Sequence, residues 1–87
     1  MSYRVFMSKK VLKFIEKQKN TDSIKERIKK LKDFGSGKKL DLDIKSMKGS
    51  WKGYYRLRIG DLRFIFKIVD NKIVFIETAD SRGSVYS

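Results

Sequence analysis

Residues Tyr54–Val69, YYRLRIGDLRFIFKIV, decide the fold. Apolar and polar side chains alternate on both sides of Gly60-Asp61, the pattern of two strands joined by a two-residue turn. Such a turn pairs Ile59 with Leu62, Arg58 with Arg63, Leu57 with Phe64, Arg56 with Ile65 and Tyr55 with Phe66. Side chains alternate faces along a strand, so Tyr55, Leu57, Ile59, Leu62, Phe64 and Phe66 share one apolar face. The other face holds Tyr54, Arg56, Arg58, Arg63, Ile65 and Lys67. A second turn at Asp70-Asn71 leads into KIVFIET, residues 72–78. The same alternation adds Ile73 and Phe75 to the apolar face and sets Val74, Ile76 and Thr78 beside the arginines. Glu77 then falls on the apolar face near Phe64, as an edge or salt-bridge residue.

Upstream, Tyr3–Met7 is short, apolar and partly β-branched, which predicts a strand. Ser8 offers an N-cap to KKVLKFIEKQK, where Val11, Leu12 and Ile15 share a helical face. Asn20-Thr21-Asp22 breaks that helix. Ser23 and Glu26 have capping-box spacing, Ile24, Ile28 and Leu31 repeat on one stripe, and Gly35-Ser36-Gly37 ends the second helix. Residues 38–53 read either way: Leu40, Leu42 and Ile44 alternate with Asp41 and Asp43 as in a strand or an extended loop, and Lys48–Gly53 reads as a loop. The predicted architecture is α+β. It has an N-terminal strand, a helical hairpin and a three-stranded antiparallel meander, with the helices packed on one face of a single antiparallel sheet.

Eighty-seven residues make one domain, 1–87, with a modest core. The chain has no Cys and no His, so zinc fingers, thiol nucleophiles and imidazole bases are excluded. No metal or cofactor is expected. No apolar run approaches the roughly 20 residues of a membrane span and no signal-peptide pattern opens the chain, so a soluble, cytoplasmic protein is expected. The net charge of +12 asks for a polyanionic partner. Residues 1–52 carry 14 of the Lys and only 2 Arg, whereas 53–87 carry 2 Lys and 4 Arg. Lysine is a hydrated point charge, while arginine is a planar fork that grips phosphate through two bonds.

That fork chemistry draws attention to Arg58 and Arg63, opposed across the hairpin, with Arg56 two residues along. Like charges opposed on a sheet cost a few tenths of a kcal/mol to about 1. Either these side chains point into water, or a bound phosphate relieves them. Trp51 and Tyr54 have the flat rings that stack on bases; Trp51, between Gly49 and Gly53, equally suits a cap on the core. Lys48, Lys52 and Lys67 complete the candidate RNA-contacting set. Ile65, Val74 and Ile76 on the basic face either receive an acidic polypeptide that folds on binding or support the arginine stems.

The stretch MKGSWKGYYRLRIGDLRFIFKIVDNKIVFIETADSRGSVYS resembles the RelE toxins of the RelE/ParE superfamily, and the short chain looks most like archaeal members. The resemblance rests on Met-x-Gly before the sheet, on Tyr-Arg-x-Arg-x-Gly-x-x-Arg from Tyr55 to Arg63, and on Arg82 ahead of Val85-Tyr86. It implies a ribosome-dependent mRNA endonuclease acting in the decoding A site. It also implies neutralisation by an acidic RelB-type antitoxin and a toxin–antitoxin complex that binds operator DNA. By this resemblance Arg56 and Arg58 surround the scissile phosphate, Arg63 contacts it, and Arg82 and Tyr86 serve the leaving group and substrate orientation. Bacterial relatives resemble this pattern with Lys where this chain has Arg56 and Arg58. Arginine is not usefully deprotonated at neutral pH, so either Tyr86 is the base or positioning by the ribosome carries the catalysis. Two other classes fit the same composition: a ParE-like toxin of DNA gyrase, and a binding module that holds RNA without cutting it.

Overall fold

A computed structural model describes residues 3–37 and 39–81. Strand β1, Arg4–Met7, leads into helix α1, Lys9–Glu16, and helix α2, Thr21–Lys29, which tightens into a short 3-10 turn at Lys30–Asp33. Four strands follow: β2, Asp43–Ser46; β3, Tyr54–Ile59; β4, Leu62–Val69; and β5, Ile73–Ser81. The sheet order is β1-β5-β4-β3-β2.

The central hairpin forms with the register that the alternation predicts, from Ile59 opposite Leu62 to Tyr55 opposite Phe66. Gly60 takes φ +59° at the first turn position, which glycine adopts without steric cost. One sheet face buries Leu57, Phe64, Phe66, Val74 and Ile76 against Val11 and Ile15 of α1 and Ile24 and Ile28 of α2. At one end of this core Tyr55 stacks on Phe66 with 5.4 Å between centroids, and Phe34 meets both rings edge-on. Ser8 caps α1 as expected: its Oγ accepts from Val11 N at 3.2 Å and donates to Glu77 O at 3.0 Å, which ties the helix start to β5.

Several expectations need correction. The α+β architecture holds, but the sheet is mixed: β1 runs parallel to β5, and residues 43–46 supply a further strand beside β3. The second turn spans three residues, 70–72, and pairs Val69 with Ile73. A one-residue slip flips every side chain. Val74 and Ile76 are therefore core, while Ile73 and Phe75 face outward. Glu77 is the extra residue of a bulge between the Phe66–Ile76 and Ile65–Thr78 pairs, so it also faces outward, and the bulge returns Thr78 to the face expected for it. Helix α2 begins at Thr21, not at Ser23, because the Thr21 hydroxyl donates to the Gln18 carbonyl at 3.0 Å and closes the end of α1 against it. Leu12, about 100° around the helix from Val11, is 38% exposed and lies off the buried stripe.

Phe64→Ala is expected to lower the unfolding free energy by about 3–5 kcal/mol, and Leu12→Ala by less than about 1 kcal/mol, in denaturant titrations.

Candidate functional site

The sheet face opposite the helices is built from cross-strand rows that the registers define. One row runs Asp43, Arg58, Arg63, Asp80; the next runs Lys45, Arg56, Ile65, Thr78; a third runs Tyr54, Lys67, Phe75, Phe6. The opposed arginines thus sit between two aspartates. Arg63 Nε donates to Asp80 Oδ1 at 3.2 Å, Arg56 Nη2 lies 3.7 Å from Asp43 Oδ1, and Lys67 Nζ lies 3.6 Å from Glu77 Oε1. Arg58 turns back on its own hairpin, with Nε donating to Gly60 O at 3.4 Å. The repulsion expected from the sequence is therefore offset by the chain's own carboxylates and carbonyls.

A cleft of about 370 Å³ opens beside this row. Arg63, Ile65, Glu77, Thr78 and Asp80 line it from the sheet, Trp51 and Met47 from the loop before β3, and Lys10 from α1. Ile65 is only 5% exposed, so it packs among the basic side chains instead of offering a free apolar surface. Trp51 is 40% exposed and packs edge-on against Tyr54, with 5.1 Å between centroids, so it does not cap the core. Lys67 Nζ stands 5.6 Å from the Tyr54 ring centroid. Arg63 is the only one of the three hairpin arginines in the cleft lining. Arg56 lies in the adjacent row, and its buried Nε has no hydrogen-bond partner among the described residues. Lys48 and Lys52 are exposed on either side of the 3-10 turn Gly49–Trp51 and stay outside the cleft. A larger hollow of about 590 Å³ near Tyr3, Phe34 and Asn71 gathers only Arg4 and Lys72 as charged groups.

No protein-family model matches the chain, and no curated protein matches it in sequence. Solved structures match its fold over nearly the whole length. The RelB–RelE antitoxin–toxin complex from Methanococcus jannaschii matches with a TM-score of 0.74 and 25% identity, over 94% of this chain and 95% of that one. The archaeal RelE–RelB complex from Pyrococcus horikoshii matches with a TM-score of 0.72 and 25% identity, over 95% and 98%. The chain has the RelE-like toxin fold. YafQ from E. coli shares that fold at 18% identity and a TM-score of 0.70, over 98% and 99%.

On this RelE-like scaffold, Arg56, Arg58, Arg63, Tyr54 and Lys67 share one face and Trp51 overhangs it. Arg82 and Tyr86 lie outside the described residues. The sequence reading missed Asp80, Asp43, Lys10 and Met47. Asp80 becomes visible once the turn at 70–72 and the bulge at Glu77 are counted, and Asp43 once residues 43–46 are taken as a strand. For Lys10 the only signal is its neighbour Val11, which faces the core.

The Asp80 carboxylate orients the Arg63 guanidinium, since a bond to Nε restricts its plane. In nitrogen-15 spectra the Arg63 Nε–H signal is expected to be dispersed and slow to exchange in the native protein. Asp80→Ala is expected to collapse that signal and to cost about 1–2 kcal/mol of stability, whereas Asp80→Asn, which keeps an oxygen acceptor, retains most of the dispersion.

Proposed function

We propose that the chain is, as one domain across residues 1–87, the toxin of a type II toxin–antitoxin pair. In this reading it is an endoribonuclease that cuts mRNA in the ribosomal A site, stops translation, and is neutralised by an acidic RelB-type antitoxin. The observation that carries the reading is Arg63, held by Asp80 in a cleft overhung by Trp51, with the buried, unpartnered Nε of Arg56 in the adjacent row. A guanidinium grips a phosphodiester through two charge-assisted bonds, and Arg56, Arg58 and Arg63 share this face. The two archaeal structures of the same fold are complexes of RelE with RelB, which supports an antitoxin partner here.

The 2′-hydroxyl of the substrate gives its proton to Tyr86 or to water and attacks the adjacent phosphorus; the P–O5′ bond breaks, the 5′ oxygen takes up a proton, and a 2′,3′-cyclic phosphate and a 5′-hydroxyl result. Arg63, with Arg56 and Arg58, stabilises the extra negative charge of the transition state; such preorganised donors act where charge develops. Trp51 and Tyr54 supply flat surfaces for a base, and Lys48, Lys52 and Lys67 attract the backbone. Tyr86 and Arg82 are proposed to orient the substrate and serve the leaving group. The ribosome adds alignment of the mRNA, which converts a poorly oriented attack into a near-attack geometry.

The test is a toeprint on translating ribosomes with the purified protein and its Arg63→Ala variant. The native protein is expected to create a new mRNA end in the A site, and the variant to cut about 10²–10³-fold more slowly while folding normally. A folded native protein that creates no new end overturns the nuclease. Equal cutting by the variant removes Arg63 from the site.

A further inference from the structure

Glu77 does not lie where the alternation of its strand puts it. Plain alternation sets it among the apolar side chains, but it is the extra residue of the β4–β5 bulge and turns to the basic face. Its backbone is held there from the start of α1: Ser8 N donates to Ile76 O and Ser8 Oγ to Glu77 O, each at 3.0 Å. Glu77 thereby joins the lining of the cleft that also holds Arg63. Re-aiming one side chain beside an active site is a recurrent use of a bulge.

Attack by a 2′-hydroxyl requires a group that takes its proton, and the chain has no His. In the cleft, the ammonium of Lys10 and the guanidinium of Arg63 are donors without an acceptor. Two carboxylates line it, Asp80 and Glu77. Asp80 Oδ1 accepts from Arg63 Nε at 3.2 Å, which commits that carboxylate to orienting the guanidinium. Glu77 Oε1 stands 3.6 Å from Lys67 Nζ, and both side chains are more than a third exposed, so this ion pair is weak and yields to a ligand. The charged groups facing Glu77 are Lys67 and Arg63 from β4, Lys10 from α1 and Asp80 from β5; the next strand, β3, adds Arg56 and Tyr54.

We propose that Glu77 is the general base of the cleavage: its carboxylate takes the proton of the attacking 2′-hydroxyl. The inference rests on the nuclease reading and names Glu77 in place of Tyr86 or water. The O2′–H bond breaks as the O2′–P bond forms, the P–O5′ bond breaks, and the 5′ oxygen draws its proton from solvent. Glu77 then gives its proton to water, and the site returns to its starting state. Arg63, on the neighbouring strand, holds the phosphate, so base and charge-stabilising donor line the same cleft.

The experiment is single-turnover cleavage of mRNA on programmed ribosomes, from about pH 6 to about pH 8, with the native chain, Glu77→Gln and Glu77→Asp. The native rate is expected to change less than about threefold over that range, because an ionised carboxylate needs no hydroxide. Glu77→Gln keeps the size of the side chain and takes no proton. It is expected to cut at least about 10²-fold more slowly, at a rate that climbs about tenfold per pH unit as hydroxide replaces the base. Glu77→Asp is expected to recover part of the rate and the flat profile. The ribosome concentration that gives half the maximal rate is expected to be the same for all three proteins. A native rate that itself climbs about tenfold per pH unit assigns the proton to hydroxide or a phenolate and overturns the proposal. So does a Glu77→Gln variant that cuts slowly with a flat profile, which makes Glu77 a structural residue. If the native chain cuts and Glu77→Gln cuts equally fast, the base assignment alone falls; if the folded native chain cuts nothing, the nuclease falls and the base with it.

Discussion

The pairing of β3 with β4 through the turn at Gly60-Asp61 is the constraint on which the rest depends. Gly60, at φ +59°, lets the chain reverse in two residues, and that reversal sets Leu57 opposite Phe64 and Arg58 opposite Arg63. Both pairs follow from one register. A slip of one residue would turn Phe64 and Phe66 to solvent and drive the arginines under the helices, where an unpaired charge is far more costly than any turn strain. Core and basic face are thus two consequences of a single hairpin.

On the basic face, the arrangement is governed by what surrounds each cation. Asp43 and Asp80 bracket the Arg58–Arg63 row, and Glu77 reaches Lys67 from the bulge. These carboxylates let positive charges gather without a ligand. They also orient the side chains: Arg63 is bound through Nε, and its side chain is only 19% exposed. A polyanion approaching this surface meets guanidiniums already oriented, which lowers the ordering cost of binding. The other lysines follow no such scheme and lie mostly along the helical hairpin, where they add charge without shape.

The legibility of the chain varied with the length of each turn and the presence of irregularities. A two-residue turn with glycine has one strongly preferred register, so the β3–β4 hairpin was readable residue by residue. Asp70-Asn71 looks like the same device, yet both residues take positive φ, Lys72 N closes the turn on Val69 O, and the register moves by one. The bulge at Glu77 then shifts it again, so Thr78 falls where a simple alternation places it although Val74 and Ile76 do not. Neither the third turn residue nor the bulge has a local pattern strong enough to outweigh plain alternation. The helices were readable through Val11, Ile15, Ile24, Ile28 and Leu31, all buried. The start of α2 was not, because a hydroxyl closing the preceding helix competed with a capping box.

Local information in the sequence determined β1, the existence of the two helices, the central register and the face that carries Arg56, Arg58 and Arg63, because each rests on periodicity or on a turn a few residues long. Tertiary structure alone decided what each of those arginines touches. Asp80 lies 17 residues from Arg63, and Asp43 reaches Arg56 from a strand whose existence depends on pairing with β3. Lys10 enters the cleft only because α1 is tied to β5 through Ser8. The parallel seat of β1 beside β5 is likewise invisible locally, since it joins residues about seventy positions apart. Contacts between distant segments form because burying one face of the sheet leaves these strands no other place, and that is a property of the packed molecule.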